Sequence, residues 1–139
     1  QGGMYMSLFA RGAEAMRRAA IRDLQKRISD TNTKIEELTT QKEEYNTFIE
    51  KATVAIGDLT DASGSLASAK EQLGKSYEGY KADQISSTIG GNELSIFTVK
   101  DNLTTYIGVA NDKAKELEEK ITEKQNHLAS LQRELSGLW

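Results

Sequence analysis

Few side chains in this chain could do chemistry. His127 is the only histidine and there is no cysteine, so neither a thiolate metal site nor a paired-histidine site can be assembled. Three lysines, Lys42, Lys70 and Lys100, recur at positions that are otherwise apolar. Each is expected opposite an alanine (Ala110, Ala82 and Ala52), which leaves room for its stem to lie along a seam with the ammonium in water, fixing register instead of moving protons. Glu93, expected opposite Leu59, is the less comfortable charge; it reaches solvent only if Gly90-Gly91 loosens the chain there. Neither GxGxxG after a strand nor GxxxxGK[ST] occurs, so the glycines build no phosphate cradle. An excess of basic residues (Arg11, Arg17, Arg18, Arg22, Lys26, Arg27) over Glu14 and Asp23 lacks a stacking platform and reads as a solvated helix face, not a nucleic-acid site. No polar constellation argues for an enzyme, a cofactor or a metal.

These residues sit on a long apolar repeat. Positions a and d of a heptad run from Ile21, Leu24, Ile28 and Thr31 to Lys70 and Leu73, and a second frame runs from Ala82 and Ser86 to Leu135 and Leu138. A repeat of 3.5 residues held this long predicts helices wound on one another. In an antiparallel pair, an a residue meets a d residue of the returning helix, so facing numbers share a constant sum. Ile35 with Leu117, Ile49 with Leu103 and Ile56 with Ile96 each total 152, which puts the fold-back at Ser76. The expectation is all-α: a long antiparallel two-helix coiled-coil hairpin, capable of forming a four-helix bundle with a partner. Helix one is expected at about 7–73, the turn at 74–79 and helix two at about 80–138, with a kink at 89–92 where Gly90-Gly91-Asn92 falls. Some 58 residues per arm would span about 85 Å.

Residues 1–3 read as an expression scar, leaving 4–139 as one domain. The total absence of proline suits long helices. No run reaches the ~20 apolar residues of a membrane span. Tyr5, Leu8 and Phe9, off the seam, form a loose end or a sticky one, and Leu138-Trp139 is a candidate docking element. A cytoplasmic location is expected, with any export following a route without a cleaved signal.

Beyond Thr47 the apolar stripe widens. The g positions Phe48, Ala55, Ala62 and Ala69 join it, and Phe97, Val99 and Tyr106 lie at the same level of the second arm. A third or fourth helix packed there would account for the excess; alanine's helix propensity alone is the plainer account.

At the turn, Tyr77-Glu78-Gly79-Tyr80-Lys81-Ala82-Asp83 resembles the Trp-Xaa-Gly turn of the WXG superfamily of small type VII secretion proteins. The likeness is closest to longer Gram-positive members found beside LXG toxins, several of which continue with Xaa-Lys-Ala-Asp and end in tryptophan. Tyr77 departs from the family's tryptophan; Gly79, Lys81, Ala82 and Asp83 match. The resemblance implies a non-enzymatic hairpin that pairs with the helical N-terminal domain of an LXG toxin, or with a second small helical protein, as a targeting factor for export. It also implies a Tyr/Phe-Xaa-Xaa-Xaa-Asp/Glu signal, matched by Phe97 and Asp101. The alternative is a cytoplasmic coiled-coil structural or chaperone-like module that self-assembles as a homodimer. A prefoldin-like version needs strands, and Ser95-Ile96-Phe97-Thr98-Val99 is the one β-leaning stretch.

Overall fold

A computed structural model describes residues 2–76 and 79–139, with the side chains of 2–7 and 76 left out of the description. Two helices, α1 (Gly2–Ser76) and α2 (Tyr80–Ser136), pack against each other as a helical hairpin, and no strand occurs among the described residues. The β-leaning stretch 95–99 is helical, so its local propensity yields to the heptad burial around it. Tyr77 and Glu78 of the expected turn lie outside the described residues.

Burial follows the heptads. Nearly every a and d residue from Ile21 to Leu73 and from Ala82 to Leu138 is buried or half-buried, while their neighbours are exposed; Tyr45 and Lys70 are the exceptions. The helix ends correct one expectation. Gly74, Lys75 and Ser76 belong to α1, so the fold-back lies beyond Ser76 and includes Gly79. Gly79 takes φ +106°, a conformation that costs a side-chain-bearing residue dearly, and its carbonyl accepts from Asp83 N–H at 3.1 Å to open α2. Helix α2 also runs through 89–92 without a break.

Moving the fold-back slides the pairing. A heptad seam fixes facing positions only to within multiples of seven. One repeat along, facing numbers total 159 instead of 152 and Leu38 meets Ile121. Leu38 clusters with Leu117 and Ile121, with Ile35 against them, and the register is marked by Lys42, which pairs with Glu118, and by Lys70, whose Nζ lies over Gly90.

The chain forms two compact units, Gln1–Lys42 with Lys115–Trp139, and Glu43–Ala114. In the first, Ile21, Leu24, Leu38, Leu117, Ile121 and Leu131 are buried, and Leu131, at 1% exposed, is the most enclosed. Thr31 is also buried, its hydroxyl donating to the Arg27 carbonyl at 2.7 Å, so no polar group is left unpaired there. Lys42 pairs with the carboxylate of Glu118. Arg17 donates to the Leu138 carbonyl at 2.7 Å, closing this unit at its termini. In the second unit the buried apolar residues are Ala52, Ala110 and Ala114. Its larger seam residues, Ile49, Ile56, Leu59, Leu66, Ile96, Leu103 and Ile107, are half-buried. Two helices cover only one stripe of each other, and here that stripe has a small-residue centre.

Candidate partner-binding surface

The second unit, Glu43–Ala114, holds most of the large exposed apolar side chains: Tyr45, Phe48, Val54, Tyr80, Ile85, Leu94, Phe97, Val99, Tyr106 and Val109. Steps of seven keep one side of a coiled-coil helix. On α1 the series Phe48, Ala55, Ala62, Ala69 follows one flank, and all but the half-buried Ala55 are exposed. On α2 Val99 and Tyr106 take the g flank, and in an antiparallel pair the g flanks of both helices lie on the same side of the seam. Tyr106 is 59% exposed. The shifted register brings Val99 level with Ala62 and Tyr106 level with Ala55, a large side chain beside a small one each time.

Ile85 joins this flank and was not expected there. Its signal is the series 85, 92, 99, 106, which mirrors 48, 55, 62, 69 and is obscured by Asn92. Phe97 does not join it. Nine residues separate Phe97 from Tyr106, two and a half helical turns at 100° per residue, so the two point to opposite sides of α2. Phe97 is 65% exposed and lies beside the exposed Leu94. Asp101, one turn further on, is exposed on the same side, so Phe97 and Asp101 form a continuous accessible pair.

The charged seam residues are also placed. Lys70 reaches Glu93, Nζ to Oε1 3.8 Å, and a Cβ built on Gly90 would sit 3.7 Å from the same Nζ. An alanine at Gly90 would therefore meet the lysine head group at ordinary van der Waals distance. Glu93 reaches water only in part: its side chain is 29% exposed, while Oε1 is enclosed and makes no hydrogen bond, with Lys70 as its cation. Lys100 is half-buried.

Around the turn, Lys81 and Asp83 are exposed, Ala82 is half-buried, and Tyr80 Oη accepts from Gln84 Nε2 at 2.8 Å. Asp83 stands in the first turn of α2, where a negative charge meets the positive end of the helix dipole. His127 is exposed. Among the described residues no group of acidic and histidine side chains could hold a metal ion, and no helix is long and apolar enough to cross a membrane. The surface offers apolar contact area and a few hydrogen-bonding groups.

Compared with known proteins, the chain matches no family profile, no curated protein and no solved structure.

Proposed function

We propose that this chain is a non-enzymatic binding protein, a WXG-like partner or targeting factor that pairs with the helical N-terminal domain of an LXG toxin, or with a second small helical protein, for type VII secretion. One observation carries the reading: in Glu43–Ala114 the large apolar side chains Phe48, Ile85, Val99 and Tyr106 stay exposed on one flank, while the fully buried seam residues are alanines and the larger seam residues are only half-buried. A flank of Phe48, Ala62, Ala69, Ile85, Val99 and Tyr106 fits the apolar stripe of another helix, completing a three- or four-helix bundle. About 800 Å² buried per partner makes such a complex specific. Gly79 with its positive φ, followed by Lys81-Ala82-Asp83, supports the WXG-like turn. Phe97 and Asp101, accessible on the opposite side of α2, are free to serve as an export signal while the g flank is occupied. The chain then acts in the cytoplasm.

Ala62→Asp combined with Val99→Asp puts two carboxylates at one level of the flank. Co-purification with the toxin's helical domain is expected to be lost while circular dichroism stays fully helical; an unchanged pull-down removes the proposal. The same uncharged flank would seat a second copy of the chain, and a dimer mass in light scattering of the protein alone, abolished by the same pair of substitutions, would favour a self-assembling module.

A further inference from the structure

Residues 8–27 carry six basic side chains against two acidic ones, and part of that charge is engaged. Glu14 holds Arg17 at 2.8 Å and Arg18 at 3.2 Å, and Asp23 lies 3.8 Å from Arg27. Arg11 and Arg22 have no ionic partner among the described residues. At 100° per residue, Arg11, Arg18 and Arg22 fall within about 40° of one another around α1. Beside this row the helix turns an apolar arc about 100° wide, from Leu8 through Ala19 and Gly12 to Met16 and Phe9. Phe9 is 81% and Met16 76% exposed, and Leu8 is exposed as well. The centre of the arc stands about 140° around the helix from the seam side marked by Ile21 and Leu24, so α2 does not cover it.

We infer that this stretch of α1 lies on an anionic lipid surface, with Leu8, Phe9 and Met16 in the acyl boundary and Arg11, Arg18 and Arg22 among the head groups. The inference stands apart from the flank of Glu43–Ala114. Charge decides the occupant: the row is basic in a chain whose formal charge is −3, and the Glu43–Ala114 unit carries eleven carboxylates against six lysines. An anionic surface therefore attracts this patch and repels the rest. Shape decides between lipid and a protein groove. The arc is convex, and its Leu, Met and Phe are spaced by glycine and alanine, which suits a fluid boundary that reads no side-chain outline. Trp139, also exposed, lines an open groove with Arg18 and Arg22 and adds an aromatic of the kind that settles at head-group level.

The test is co-sedimentation of the full chain with vesicles of phosphatidylcholine alone and of phosphatidylcholine mixed with phosphatidylglycerol, in low and high salt. The chain is expected to pellet with the mixed vesicles, to be released by salt, and to ignore phosphatidylcholine. Phe9→Glu with Met16→Glu is expected to abolish pelleting while circular dichroism is unchanged, and Arg11→Gln and Arg22→Gln each to weaken it about fivefold. Absence of pelleting with mixed vesicles overturns the inference, as does equal binding to both vesicle types. Binding that survives Phe9→Glu with Met16→Glu does so too. Salt-sensitive self-association in place of vesicle binding would assign the patch to the acidic unit of another copy, and also overturns it.

Discussion

Leu131→Ala tests whether the heptad seam is what holds the two helices together. Leu131 is 1% exposed, so its whole side chain is withdrawn from water. Replacing it with alanine removes three carbons, about 2.4 kcal/mol of transfer free energy at ~0.8 kcal/mol per methylene-sized group. The gap left behind adds to that, and buried leucine-to-alanine changes run at about 2–5 kcal/mol. Two helices leave water along both edges of their seam, so the gap closes or wets more readily than in a globular core. The loss is therefore expected at about 2–3 kcal/mol, the lower part of that range. Urea denaturation followed by far-UV circular dichroism should show the midpoint falling by about 0.7–3 M, given slopes of about 1–3 kcal/mol per molar. Leu94→Ala, at an exposed position of α2, is the control and should change stability by less than about 0.5 kcal/mol. Equal effects at the two positions would refute the seam as the source of cohesion.

Three further outcomes follow from particular residues. Gly79→Ala forces a side chain onto φ +106° and should cost about 1–3 kcal/mol in thermal or urea unfolding; a neutral result would mean that the fold-back takes another conformation. Gly91→Ala meets no atom within 4 Å in the middle of α2 and should stabilise by about 0.5–1 kcal/mol, read in the same assay. The hydrogen bond from Arg17, aided by the charges of Arg17 and Arg18, holds the Glu14 carboxyl below its usual value of 4.5. A depressed carboxylate contributes stability above its unfolded pKa that is lost as pH falls through the folded one, so carboxyl-detected NMR should place the Glu14 midpoint below the ordinary glutamate value of 4.5. The Arg17 signals should move with it, and an unshifted midpoint would remove the clamp.

The periodicity of the sequence identified the helices and the residues between them almost position by position, because burial at every third and fourth residue leaves one stripe that only a helix can present. It could not fix the register. Pairings that total 152 and 159 bury the same stripes, and the choice between them rests on the turn, where Gly74 and Gly79 are equally good helix enders on paper. Gly74 lies within α1 and only Gly79 takes a positive φ. The Lys70 to Glu93 pair was out of reach for the same reason, since in the expected register those residues stand eleven positions from facing each other. Gly90-Gly91 predicts a kink because two adjacent glycines cost a helix about 2 kcal/mol relative to alanine. The seam residues Ile89 and Ile96 on either side are both half-buried, and they hold the backbone helical across them. Phe97 and Tyr106 share a level along the arm, but nine residues at 100° each set them on opposite sides of α2, a separation that the residue numbers already contain.

With alanines as its only fully buried apolar residues and its larger seam side chains half-open to water, Glu43–Ala114 should exchange its amides with solvent through smaller openings than those around Leu131. A bound guest raises the free energy of every such opening by mass action. On the proposed function, empty copies are then the ones that proteases cut, and the steady-state amount of this chain in a cell would track the supply of its partner.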